Sequence, residues 1–403
     1  MTDLATRVAA PHARLLRRAV PALLGFAAVR TLGLVVLTAW SAARGKSAHT
    51  LLTARWDSLW YTRVAELGYG YQVRLPNGDV HSNLAFFPLL PWLERLLHAV
   101  TPLSYADAGL VVSLVASLAA AAGIFAVADL LHGPRVGVCA VLLWAVLPVG
   151  IVQSMAYSES LFTALAAWAL YAVLTGRWVS AGALAALAGL TRPVGAAVVA
   201  AVWAAAVVSF GRDRSAAHTD GAHRTTRAPS ASAAEPRPQR RRLLGMLIAP
   251  LGAAGYVLWV GHRTGKGPLG YLDVQAGWRN GFDGGYAFAR FMADKFTSFP
   301  SALAGVGLIV GVGLLIWLYV TCVRQGQPVA VLVYTGVVLA LALCASSYFG
   351  SKPRLLLPAF PVLFPLARAL ARLRTSRSAL AGAGLAGAAA VYGAFWLNGS
   401  GPP

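Results

Sequence analysis

The run DAGLVVSLVASLAAAAGIFAVADLL, residues 107–131, decides the class of fold. Between Asp107 and Asp129 it carries no charge, and about 20 apolar helical residues cross a bilayer core of roughly 30 Å. Comparable runs occupy 20–43, 136–153, 160–175, 178–190, 194–210, 243–262, 301–323, 328–347, 355–371 and 379–397. The sequence therefore predicts an all-α polytopic membrane protein with about eleven transmembrane helices. The run 178–190 is the shortest of them. Bulk composition agrees: 58% of residues are apolar, 12% are charged, and the mean hydropathy is +0.63.

Charge supplies the orientation. A net charge of +20 in a soluble chain would point to nucleic acid. Here the basic residues cluster at helix ends and in one loop, with no recognition motif, so membrane lipid is the expected partner and nucleic acid is not. Arg7, Arg14, Arg17 and Arg18 precede the first run and should hold the N-terminus in the cytoplasm. That run exceeds the core of a signal peptide, which predicts an uncleaved helix. The loop 211–242 holds eight Arg together with Pro229, Pro236 and Pro238, and reads as a disordered basic cytoplasmic linker. Six crossings bring it to the inside, as its charge requires. The linker separates an N-terminal transmembrane module, 1–210, from a C-terminal one, 243–403. Long loops at 44–106 and 263–300 then lie outside, the first carrying interfacial helices. One of these, SLWYTRVAEL (58–67), places Leu59, Trp60, Val64 and Leu67 on one side and should lie in the interface plane; another, LAFFPLLPWLERLLHAV (84–100), should dip into the membrane edge. Cys139, Cys322 and Cys344 fall inside apolar runs and predict packing, not a disulfide or a metal. The 30 Arg against four Lys suit a GC-rich bacterial genome, and hence a bacterial cytoplasmic membrane.

This topology puts WDSLWY (56–61), AYSES (156–160), TRP (191–193) and SKPR (351–354) on one outer face. Asp57 is the candidate general base, because a carboxylate among Arg55, Trp56 and Trp60 can be tuned to take a proton; the plainer reading is a loop acid paired with Arg55. Ser158 or Ser160 reads as an N-cap, and Glu159 suits either the positive end of a helix dipole or a cleft wall. Arg192, an outer cation against the positive-inside bias, calls for an acid or a phosphate. Lys352 and Arg354 form a further cationic pair, for an anion or as snorkelling side chains. Arg30 lies within the first span and Asp129 near the inner end of the second; neither receives a role. GLIVG at 307–311 matches a small-residue helix contact, a pattern that 41 Gly make common. His81 has no second ligand at metal spacing, so no metal site is proposed; no cofactor is assigned, and a divalent metal is left open. One or two acids facing three cations suit transfer from a lipid-linked phosphate donor, with the base taking a proton from an acceptor hydroxyl.

RWDSLWYTRVAELGY, AFFPLLP, AYSESLF and LAGLTRPVG, in that order, resemble the family of the mannosyltransferase that adds the second mannose of GPI anchors. Residues 50–200 carry the likeness, and KPRLLLPAFPVL (352–363) is similar to a later element of the family. The resemblance implies a class C glycosyltransferase fold, a polyprenyl-phosphate-linked sugar donor, most simply mannose, and inversion at the anomeric carbon. It implies Asp57 as the catalytic acid residue of the first outer loop. Arg192, Lys352 and Arg354 would then hold the donor phosphate. Arg55, Trp56, Trp60 and Tyr61 would meet substrate, with Tyr157 and Glu159 lining the cleft. The acceptor, whether lipid, glycan or protein, is not fixed by the motifs. A flippase for a lipid-linked sugar and a non-catalytic envelope subunit are the competing readings. The first predicts repeated halves, of which none is evident; the second predicts that Asp57 and Arg192 are replaceable.

Overall fold

The computed structural model describes residues 12–223, 237–399 and 401. The chain enters on α1 (His12–Ala43), passes through α2 (Ala48–Thr53) and α3 (Asp57–Leu67), and turns back in a hairpin of β1 (Gln72–Arg74) and β2 (Val80–Ser82). The hairpin is antiparallel, with Val73 opposite His81. Next come α4 (Leu89–Val100), α5 (Tyr105–His132), α6 (Pro134–Ala145), α7 (Ser158–Leu174), α8 (Trp178–Gly189) and α9 (Ala196–His223). The second half runs α10 (Arg237–Ile248), α11 (Leu251–Thr264), α12 (Gly270–Gly277), β3 (Gly281–Phe282), α13 (Tyr286–Asp294) and α14 (Phe299–Arg324). It closes with α15 (Val329–Cys344), β4 (Ala345–Ser346), α16 (Lys352–Leu355), α17 (Phe364–Arg372) and α18 (Thr375–Leu397). β3 pairs with β4.

Among the described residues six helical segments are long and apolar enough to cross a bilayer alone: Leu15–Ala43, Tyr105–His132, Pro193–Ser215, Gln239–Thr264, Phe299–Arg324 and Thr375–Leu397. A seventh is the pair Phe349–Leu355 and Phe360–Arg372, bent by 75°. Four shorter apolar helices, α6, α7, α8 and α15, fill the remaining hydrophobic runs. The expected eleven thus correspond to segments of helix, but length alone makes only six or seven of them spans. Two expected spans are broken. The run 136–153 is helical only to Ala145, with Pro148 and Gly150 beyond, and 355–371 is interrupted by Pro358 and Pro361, which remove backbone donors. On α14, Leu303, Val310 and Trp317 are each more than half exposed, an apolar surface suited to lipid.

Helix continues from α9 to His223 and resumes at Arg237, so part of the expected linker 211–242 is ordered; 224–236 and the expected anchor Arg7 lie outside the described residues. Ala-rich helix faces bury Phe125, Trp144, Phe162, Tyr334 and Phe360 in one core. Close helix contacts fall where α8 meets α10 and α11: a Cβ at Gly182 would lie 2.4 Å from Gly245 O, and one at Gly252 1.8 Å from Ala186 O. A Cβ at Gly307 or Gly311 would meet nothing within 4 Å, so GLIVG makes no close helix contact among the described residues. All three cysteines are free thiols; Cys322 is buried, while Cys139 and Cys344 are only half-buried. Asp129 pairs with Arg18 at 2.6 Å, at one end of the bundle.

α3 packs through Ser58, Tyr61, Val64 and Ala65 and leaves Leu59 and Leu67 exposed, so of the expected apolar side Val64 turns into the protein. α4 exposes Trp92, Leu96 and Val100, as an interfacial helix would, yet buries Glu94 completely. Gly109 makes room for it, since a Cβ there would meet Glu94 Oε1 at 2.5 Å. Neither carboxyl oxygen has a hydrogen-bond partner among the described residues, and burial pushes the group well above its ordinary value of 4.5. The folded chain therefore binds this proton more tightly than the unfolded one. Stability is lost as pH rises from the unfolded value through the raised one. Glu94→Gln should abolish that loss, and its melting temperature in detergent should exceed that of the wild type by a margin that widens as pH rises above the ordinary carboxyl value of 4.5. Parallel curves for the two proteins would refute this.

Candidate functional site

Four charged side chains from four separate segments meet at the end of the bundle opposite Arg18 and Asp129. Asp57 opens α3, its carboxylate at the positive end of the helix. The preceding Trp56 has φ 52°, ψ −121°, a conformation that costs a tryptophan energy and sets the direction in which Asp57 leaves the chain. Asp57 Oδ2 pairs with Arg354 Nη2 at 2.7 Å. Arg354 Nε lies 3.7 Å from Glu159 Oε1, and the same oxygen pairs with Arg192 Nη1 at 2.6 Å. The result is a row, Asp57–Arg354–Glu159–Arg192, alternating in sign and formally neutral. Exposure falls inward from 23% for the Asp57 side chain to 2% for that of Glu159, so Asp57 is the more accessible of the two carboxylates.

Neutral groups tie the row together. Arg192 Nη1 also donates to Ser158 Oγ at 3.1 Å, and Tyr61 OH lies 2.7 Å from the same oxygen. Burial raises the Tyr61 phenol above its ordinary range, with Arg192 opposing, so it stays neutral. Arg354 rests over the ring of Tyr157 at 5.1 Å. Neither Ser158 nor Ser160 caps α7, contrary to expectation: Tyr157 is the N-cap residue, and Ser158 serves Arg192 and Tyr61 instead. Its place between two polar motif residues was the only sequence signal for that part.

The motifs work as supports. Tyr256 OH donates to Leu84 O (2.9 Å) and Phe86 O (2.8 Å), and Tyr69 OH also reaches Phe86 O. AFFPLLP so held passes Leu89 N to Leu190 O at 3.0 Å, fixing the turn that carries Arg192. Ala156 N donates to Leu52 O, and Ser113 Oγ to Tyr157 O, fixing the start of α7. Trp144 Nε1 donates to Leu357 O and Tyr334 OH to Pro358 O, fixing the chain just past Arg354.

Three expected site residues stand elsewhere. Arg55 does not pair with Asp57: its guanidinium donates to Leu397 O and Gly399 O and stacks on Trp56 at 3.9 Å. Lys352 donates from Nζ to Ala342 O (2.8 Å) and Ala345 O (2.7 Å), capping the end of α15, with Phe288 and Phe349 beside it. These two carbonyls take two of the three N–H donors of the ammonium. Trp60 lies in an aromatic cluster, stacked on Phe86 at 5.6 Å and edge-on to Trp278 at 4.9 Å. Trp278 itself stacks on His81 at 4.0 Å, and Asp79 pairs with Arg279, clasping the hairpin to α12. The second outer loop gave no sequence hint of this partnership. Among the described residues no three His, Cys, Asp or Glu side chains gather as metal ligands.

The Dolichyl-phosphate-mannose-protein mannosyltransferase family matches residues 83–223. Over 152 residues the chain is 34% identical to GPI alpha-1,6-mannosyltransferase 2 of Rattus norvegicus and 33% identical to that of Mus musculus. The match covers 35% of this chain and 29% of each relative, so the chain spans less than a third of the curated relatives it matches. The fold is similar to that of ArnT from Cupriavidus metallidurans in the crystal structure bound to undecaprenyl phosphate. The TM-score is 0.50 at 15% identity, over 88% of this chain and 61% of that one. The family match and the curated relatives are likenesses to mannosyltransferases, and the likeness to ArnT is one of fold.

Proposed function

We propose that the chain is an inverting glycosyltransferase that moves a sugar, mannose by the likeness of its motifs, from a polyprenyl-phosphate donor to a cell-envelope acceptor. Its site faces the outer side of a bacterial cytoplasmic membrane that the chain crosses several times. The observation that carries the reading is the row Asp57–Arg354–Glu159–Arg192, in which the most accessible acid touches a buried guanidinium. The mannosyltransferase relatives support the sugar. The fold shared with a protein crystallised with undecaprenyl phosphate supports the lipid phosphate.

In this mechanism a donor phosphate oxygen takes over the Arg354 N–H now held by Asp57. The freed Asp57 carboxylate accepts the proton of an acceptor hydroxyl, whose oxygen attacks C1 of the sugar from the face opposite the phosphate. The C1–O bond breaks and its electron pair stays with the phosphate, which gains a negative charge. Arg354 and Arg192 meet that charge in a site already screened from water, where fixed donors act most strongly. Asp57 later gives its proton to water. Glu159 holds the two guanidiniums apart and offsets their charge while the site is empty. No step requires a metal.

The test is reconstitution of the full chain with labelled polyprenyl-phosphate-mannose and an extract of envelope acceptors. Label should move to acceptor material. Label that crosses the bilayer unchanged would favour a flippase and sink the transferase reading.

A further inference from the structure

Arg30 lies midway along α1, only 8% exposed, where a charge is expensive unless something holds it. Its guanidinium donates from Nη2 to Ala145 O and from Nη1 to Gly150 O. Both acceptors belong to the break between α6 and α7. Twelve residues of α6 rise about 18 Å, short of the roughly 30 Å core. The chain therefore stops being helical at membrane depth. There, non-helical backbone survives only when protein satisfies it, and residues 149–157 are all buried. Ala145 ends α6 and Gly150 opens the following turn of 3-10 helix, so Arg30 bridges the two sides of the break. No side chain fits at position 150: a Cβ would lie 2.7 Å from Ala145 O and 2.9 Å from Arg30 Nη2.

Both halves of the charged row hang from this point. Downstream, the break leads into Tyr157, Ser158 and Glu159 at the start of α7. Upstream, Trp144, the neighbour of Ala145, donates to Leu357 O three residues past Arg354 and accepts from Gln153 Nε2 at 2.8 Å. A shift of Ala145 against Gly150 would move Glu159 relative to Arg354 and loosen its hold on Arg192.

We propose that Arg30 is a positioning residue: by tying Ala145 to Gly150 inside the membrane it fixes the break that sets Glu159, Arg192 and Arg354 for a lipid phosphate. The inference rests on the phosphate role given to those arginines. Arg30 touches no substrate. Its effect passes through backbone carbonyls, so what the role requires is a side chain with donors for both of them.

The experiment measures binding of undecaprenyl phosphate to the reconstituted full chain, alongside donor and acceptor KM. Arg30→Met should weaken binding at least tenfold and raise donor KM by a like factor, leaving acceptor KM unchanged; misplacement by about 1 Å is enough for such losses. Arg30→Lys, whose ammonium has donors for both carbonyls, should recover most of the affinity. Gly150→Ala, which adds one methyl against the same contact, should reproduce the loss, and decides the matter if Arg30→Met does not fold. The double variant should be no worse than the poorer single one, since both disturb one contact. A fall in Vmax matching the loss of folded protein, with binding and both KM values unchanged, would overturn the inference alone. A wild type that does not bind undecaprenyl phosphate would overturn it together with the functional reading.

Discussion

Asp57→Asn is expected to lower sugar transfer about 10³-fold, within the range a positioned general base supplies. The change is close to isosteric. Asn keeps an oxygen that accepts from Arg354 Nη2, now 2.7 Å from the carboxylate, so the row should stay assembled. What is lost is the ability to take a proton at neutral pH. Donor affinity should hold or rise slightly, because removing the carboxylate leaves Arg354 a more available cation for phosphate. Loss in turnover without loss in donor binding is the signature of an interaction made only in the transition state. Initial rates and donor titrations on proteoliposomes of both proteins measure it. A variant that transfers at the wild-type rate would remove Asp57 from the chemistry and leave the Arg354 pair as a structural contact.

The class of fold was legible because a bilayer imposes length and apolarity on whatever crosses it. The four outer motifs were also legible as residents of one end, since topology alone carries them there. Who pairs with whom was not. Arg55 and Asp57 are two apart, as are Lys352 and Arg354, and sequence proximity made each look like a pair. Residues two apart on helical backbone do not share a face. Arg354 turns to Asp57 while Lys352 turns to the carbonyls ending α15. At Trp56 the positive φ separates Arg55 from Asp57 still further, and nothing in a tryptophan announces such a conformation. The helix break at 146–157 was equally hidden, because its residues are as apolar as a span. Only Pro148 and Gly150 marked it, and the cation that holds it open lies more than a hundred residues earlier.

Arg354→Met should be the most damaging single change in the row, and the reason separates structure from function. Its guanidinium is 9% exposed and faces Asp57 at 2.7 Å and Glu159 at 3.7 Å. Taking it away leaves two acids against the single cation Arg192, and an uncompensated charge in a buried pair costs about 3–5 kcal/mol. A melting curve in detergent should show that loss. If the loss comes from the stranded Asp57 charge, it should shrink when Asp57→Asn is added, because removing both partners strands neither. Transfer should behave differently. Arg354→Met lacks the cation for the leaving phosphate, the double variant also lacks the base, and the double should be about as inactive as the poorer single variant instead of showing the product of the two defects. Recovery of stability without recovery of donor affinity would mean that Arg354 balances Asp57 in the empty site and binds phosphate in the working one. Recovery of both would make charge balance its only task, and the leaving phosphate would then have to rely on Arg192 alone.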